Sequence, residues 1–354
     1  EIATTRNLRE RMAQISQLLH AVSSLKMAAV LRSKILFQQS SRAAVRSFAT
    51  VSIQSFGKPA DVLSVGKAAT AAGSPGAGQV KVSMKASSVL LEDVLAIHGL
   101  SMAGKSVGVC GTAGAGTVTA VGEGVVGVAV NDSVVVVGSG VWTDEAVVAA
   151  SGVGKVGKLT AEEAAALPSF LAAWAILNNY VTLKSGDVVV QSNGSGSVGA
   201  AITQLGKAMG LKVTSLSGAD AADANLPSKL AAAGTIKLAV SGQSGKHLHA
   251  MLKSLVNGAA LVTYNGVYEP LSSYTEVQLP VSGMIFNNVS VNGFDLNAWV
   301  GGADSSFQTA VSQIAGMAAE NKITIKPSTV YPQADVQKAI AEVAKAGTTA
   351  VLKH

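Results

Sequence analysis

The chain has 354 residues, enough for two or three domains, and is 48% hydrophobic but only 14% charged and 4% aromatic. With 37 glycines, one cysteine (Cys110) and five scattered histidines (His20, His98, His247, His249, His354), it is no disordered chain, collagen, coiled-coil rod or disulfide framework, and no metal site is expected. The formal charge of +6 lies in residues 1–50, which hold eight basic and two acidic residues; the rest balances nineteen against nineteen, so its body has no electrostatic basis for binding nucleic acid.

All six arginines precede residue 47, so the body has no guanidinium fork to offer a phosphate. Leu8, Met12, Ile15, Leu19, Val22 and Leu25 follow the spacing of one helix face. Residues 27–50 contain Arg32, Lys34, Arg42 and Arg46, many Ser and Ala, and no acid. That is the pattern of a mitochondrial transit peptide starting at Met27, within a basic helical segment over 1–50.

From Val51 the signals become short strands. Residues 79–86 alternate, with Val80, Val82, Met84 and Ala86 on one side, and 134–137 form a continuous apolar run. Thr160 and Glu163 make a capping box ahead of an Ala-rich helix. The apolar stretch 164–183 carries Pro168 and the pair Asn178 and Asn179, which argues against a membrane span. Strands are then expected over 188–191, 211–216, 236–240, 260–264 and 289–293. Helices are expected over 198–209, 227–233, 247–256, 305–321 and 333–346. Such alternation means an α/β fold with a doubly wound parallel sheet. Five strands replace the six of a full dinucleotide fold, so one edge strand is missing.

Gly194-Ser-Gly196-Ser-Val-Gly199 follows a strand and opens a helix. In that context G-x-G-x-x-G lets backbone approach a pyrophosphate at a helix N-terminus. NAD binders place an acid after the next strand, and NADP binders an Arg. Here that place holds Gly218, with Asp220 beyond it.

Residues 8–29 are briefly similar to the first helix of the ATP synthase gamma subunit, which the rest of the chain does not follow. The body, from about Val51 to Leu352, resembles the medium-chain dehydrogenase/reductase superfamily. Within it, the chain is most similar to the mitochondrial 2-enoyl thioester reductases. The motifs that carry this are Leu183-Lys-Ser-Gly-Asp187, Gly258-Ala-Ala-Leu-Val-Thr-Tyr-Asn-Gly266, Met284-Ile-Phe-Asn-Asn-Val-Ser-Val-Asn-Gly-Phe-Asp-Leu-Asn-Ala-Trp299 and Gly138-Ser-Gly-Val-Trp142. The resemblance implies a GroES-like domain over 51–165 and 300–354 and a Rossmann-type cofactor domain over 166–299. It implies NADP or NAD held by Gly194, Gly196, Ser197, Val198, Gly199, Tyr264, Gly266, Phe294 and Leu296.

The departures matter as much. The family's Asn-Pro-x-Asp helix start matches Leu90-Leu-Glu-Asp93, and its proton-donating or carbonyl-orienting Tyr falls on Ser101, with His98 as a substitute acid. Its Glu falls on Ala113, its NADP-selecting Arg on Gly218, its Trp on Asp295, and its C-terminal Lys on Thr349 or Ala350. These losses lead to a non-catalytic reading. The chain would be a degenerate homologue without cofactor, kept as an accessory subunit of a mitochondrial assembly or as a homodimer. The alternative is an active NAD(P)H-dependent reductase of enoyl-CoA or enoyl-ACP. A minor third reading is an acyl-carrier or small-ligand binding protein.

Overall fold

The structure, a computed structural model, describes residues 48–68, 72–100, 107–216, 225–242, 246–264, 279, 281–302 and 306–354. The helix and transit peptide expected before residue 48 lie outside these residues. Residues 48–50, assigned above to the basic segment, are strand: β1 (Phe48–Ile53) buries Val51 and Ile53 and pairs antiparallel with β2 (Leu63–Ala68).

In chain order β3 (Gln79–Val89), β4 (Gly108–Val109), β5 (Ala113–Val121), β6 (Ser133–Val137), β7 (Glu145–Ala149) and β8 (Val153–Lys155) follow. β4 joins β1; the others form a mostly antiparallel sheet centred on β3 and β5. The expected alternation holds in β3 for Val80, Val82 and Met84, buried in one core; an irregularity after Met84 places Ala86 in the other core, with a long helix, so it does not share their side as expected. From Ser87 both faces are buried, because the long helix covers the second face.

That helix is Ala161–Asn179. Thr160 caps it as expected: its hydroxyl accepts the Glu163 N–H at 3.2 Å, and the Glu163 carboxylate accepts the Thr160 N–H at 2.8 Å. Every residue from Ala164 to Leu177 is buried. It is apolar all round because a sheet lies on each side: one core joins it to Ala115 and Val135 of the antiparallel sheet and to Val189, Val240 and Val262 of the parallel one. Burial of Leu167, Leu171 and Ile176 contributes roughly 2 kcal/mol apiece. Among the described residues no helix is long and apolar enough to cross a membrane.

The second sheet comprises β9 (Val188–Ser192), β10 (Lys212–Leu216), β11 (Ile236–Ser241), β12 (Leu255–Thr263) and β13 (Ser290–Gly293), all parallel, in the order β10-β9-β11-β12-β13. Among the described residues this is the doubly wound order without its outermost strand. Residues 217–224, after β10, lie outside the described set, and with them Gly218 and Asp220.

Two boundaries differ most from the sequence reading. The helix expected over 247–256 stops at Lys253, and β12 begins at Leu255 because Leu255 pairs with Ile236 of β11 and buries its side chain there. The last helix runs Val336–Ala346 after a single turn at Gln333–Asp335, whose Gln333 amide donates to the Trp142 carbonyl. β14 (Val330–Pro332) and β15 (Ala350–Lys353) then return the chain to the first sheet beside β3.

Candidate functional site

The glycine loop sits at the carboxyl end of β9, where open parallel sheets bind ligands. Asn193 takes a left-handed turn, φ 61°, and Gly196 caps the helix Ser197–Ala208. A side chain at Gly199 would collide with the Asn193 carbonyl, and one at Gly194 with Ser215 of β10. Gln191, fully buried at the end of β9, ties the parts together: its amide nitrogen lies 3.0 Å from the Gly199 carbonyl and 2.9 Å from the hydroxyls of Thr203 and Ser215.

The first amide of that helix is taken. Ser197 N–H donates to the Gly347 carbonyl at 3.0 Å, from the loop between the last helix and β15. The buried hydroxyls of Ser169 and Thr349 meet at 2.8 Å beside it. The Val198 and Gly199 amides make no hydrogen bond to a described residue, and no side chain caps the helix. Gly199 is buried in the loop, which leaves the Val198 N–H as the helix's candidate for an anion.

Beside this loop lies a small cleft of about 80 Å³ that opens to solvent. Leu90, Leu91, Glu92 and Leu95 form one wall; Asn193, Ser197, Val198 and Tyr264 form the other, with Phe294 and Leu296. Phe294 is held by Trp299, at 6.2 Å between ring centroids, and Trp299 by Trp174 at 6.4 Å. Asp295 accepts the Ala298 N–H at 2.7 Å and so starts the next short helix. Tyr264 points its buried hydroxyl over Gly242 toward the Asn193 side chain, with which it makes no hydrogen bond of good geometry. Burial raises its pKa well above the ordinary 10.0, and Asn193 lowers it a little.

A second cleft, of about 480 Å³, shares Glu92 with the first and is lined also by Asp93, Cys110, Thr112, Asp295 and Asn297. Burial, then the nearby Asp93 and Asp295 charges, raise the Glu92 pKa from 4.5 to about 7. Asp93 is raised from 3.8 to about 7 by burial, although it accepts the Leu90 N–H at 2.8 Å and the Thr112 hydroxyl at 2.9 Å. Burial also pushes the Cys110 thiol up to about 12, so it is no nucleophile.

The structure thus brings Ser197, Val198, Tyr264, Phe294 and Leu296 to one cleft, with Gly194, Gly196 and Gly199 shaping its loop. Gly266 and Ser101 lie outside the described residues. His98 ends the helix Leu91–Ile97 and lines neither cleft. Sequence reasoning gave no role to Asn193 or Glu92. The positive φ of Asn193 follows from its place before the first glycine. Glu92 could have been noticed as the x of the helix start, beside the matched Asp93.

No family model matches the chain. It is 30% identical over 221 residues to the mitochondrial enoyl-[acyl-carrier-protein] reductase of Dictyostelium discoideum, covering 54% of this chain and 61% of that protein, so under two thirds of that relative's length is spanned. To the protein of the same name from Xenopus tropicalis it is 26% identical over 303 residues, covering 76% of this chain and 84% of the other. In fold it is similar to the CurK enoyl reductase (TM-score 0.73, 18% identity, 87% of this chain and 99% of that one). An enoyl thioester reductase from Candida tropicalis matches with TM-score 0.69 at 20% identity, over 87% of this chain and all of the other. A human synaptic vesicle membrane protein VAT-1 homolog-like protein matches as well (TM-score 0.71, 19% identity, 87% of this chain and 98% of that one), so the fold alone does not name an activity.

Proposed function

From this chain's place among the relatives of the mitochondrial enoyl thioester reductases, with the fold of the medium-chain dehydrogenase/reductase superfamily, we infer that it is a nicotinamide-nucleotide-binding enoyl thioester reductase of the mitochondrion. The compartment agrees with the transit-type segment of residues 27–50 and with the names of its relatives. The observation that carries the reading is the buried, unpartnered Tyr264 hydroxyl in a cleft it shares with four other residues expected to touch cofactor. An orphaned buried hydroxyl costs about 1–3 kcal/mol, and a polar ligand in the cleft removes that cost.

The donor set fits such a ligand. The Val198 amide suits a phosphate, Tyr264 and Asn193 suit polar edges, and Phe294, Leu296 and Val198 suit an apolar ring. When bound, a reduced nicotinamide supplies a hydride. The chain's own part is to hold donor and alkene together, exclude water with Leu90, Leu91 and Leu95, and deliver a proton.

Titration of the protein with NADPH and NADH, by nucleotide fluorescence, tests this. Saturation in the micromolar range by one of them, followed by turnover of crotonyl-CoA, is expected. No binding at millimolar nucleotide would overturn it. One observation favours a second reading, a non-catalytic accessory subunit or dimer partner: the Gly347 carbonyl already holds the Ser197 amide. In that case the loop contact replaces the phosphate, and the titration stays flat.

A further inference from the structure

We propose that Glu92 is the proton donor of this site, giving its carboxyl proton to the α-carbon of an enoyl thioester as hydride reaches the β-carbon. The proposal rests on the reading that the cleft takes a nicotinamide nucleotide and an enoyl thioester. Its first support is place. Glu92 is the residue that lines both the nucleotide-side cleft and the larger one, so it belongs to the walls of each. The orphaned Tyr264 hydroxyl in the first cleft independently marks that space as built for a polar ligand.

The second support is its surroundings. No lysine, arginine or histidine is among the described residues lining either cleft, and the charges that face Glu92 are the carboxylates of Asp93 and Asp295. No hydrogen bond or ion pair with a described residue fixes its anion. Burial first, and these neighbours second, raise the pKa to about 7 and so hold the proton on the carboxyl near neutral pH. A donor whose pKa lies near the working pH is the most effective one.

The third support is the weakness of the other candidates. Tyr264 is held neutral by burial and lies against Gly242. Asp93 spends both oxygens on Leu90 and Thr112. The Cys110 thiol is pushed up to about 12.

The step balances. Hydride, supplied by the reduced nicotinamide cofactor, forms a C–H bond at the β-carbon. The alkene π pair shifts to give the thioester enolate. The enolate takes the Glu92 proton at the α-carbon, leaving the Glu92 carboxylate and an oxidised cofactor. Water in the open cleft then returns a proton to Glu92.

The test compares wild type with Glu92→Gln and Glu92→Asp, using NADPH or NADH and crotonyl-CoA. Glu92→Gln should keep the nucleotide Kd within about threefold and lower kcat about 100-fold or more, with partial rescue by Glu92→Asp. Wild-type kcat should fall as pH rises through about 7, and the glutamine variant should lose that limb. An infrared difference spectrum of nucleotide-free protein between pH 6 and pH 8 should lose one of its protonated-carboxyl bands in Glu92→Gln. If wild type binds neither nucleotide, the underlying reading fails and the donor role falls with it. If wild type turns over and Glu92→Gln matches it, or the infrared bands are unchanged, the donor role alone is overturned.

Discussion

The two walls of the first cleft are built by different means. The parallel-sheet wall is a matter of backbone: Asn193 in a left-handed turn, glycines packed against carbonyls, and Gln191 tying the loop to β10 and its helix. The opposite wall, Leu90 to Leu95, is a matter of side chains, anchored by one buried carboxylate at Asp93. A backbone wall keeps its shape whatever it binds, which is why the glycine motif says little about affinity. A side-chain wall can change its chemistry without moving, and the family positions that fall on Leu90, Leu91 and Glu92 show that freedom.

The largest effect should come from breaking the backbone wall. Gly199→Val puts two methyl groups against the Asn193 carbonyl and the Gly194 Cα, and backbone cannot yield as a side chain tip does. A loss of about 3 kcal/mol is expected in urea unfolding, together with loss of nucleotide binding. A change below about 1 kcal/mol would show that the loop is softer than its contacts imply.

The side-chain wall should respond to pH instead. In the unfolded chain Glu92 and Asp93 ionise near 4.5 and 3.8; in the fold each does so at about 7. Between those values the folded state holds protons that the unfolded state releases. Stability is therefore full below about 4, falls as pH rises to about 7, and is level above it. Glu92→Gln removes its share of that slope. It should stabilise the protein by about 2 kcal/mol at pH 8, less than full burial would give because the side chain opens on the cleft, and change little at pH 4. A melting series from pH 4 to pH 8 measures the difference, and identical slopes would contradict it.

The same contrast explains what could be read beforehand. The glycine loop, the capping box at Thr160 and the five-strand order were legible because each rests on local chemistry: a tight turn, an unpaired amide, an alternating or continuous apolar run. The start of β12 was not, since Leu255 is strand only because Ile236 lies across from it. Nor was the Ser197 contact with Gly347, which joins residues 150 positions apart. Glu92 was in view as the variable member of a helix start. Its proximity to Asp295, however, depends on the packing of a helix two hundred residues later, and no spacing rule reports that.

The smallest expected effect separates the two walls by sign. Tyr264 belongs to the backbone wall, yet its hydroxyl, like the Gln191 Oε1 behind it, is buried without a hydrogen bond of good geometry. Tyr264→Phe removes that atom and keeps the ring that packs beside Phe294 and Val198. In nucleotide-free protein this should raise stability by about 1 kcal/mol, since an unsatisfied buried hydroxyl costs more than the space it leaves. If a bound nucleotide is what satisfies the hydroxyl, the same variant should weaken nucleotide Kd by about tenfold, which is about 1.4 kcal/mol in the other direction. A thermal shift and a nucleotide titration on one preparation read both signs. Opposite signs make the cleft a binding site held open at a cost to the fold. A gain in stability with no change in binding leaves the hydroxyl as a packing fault and favours the accessory-subunit reading.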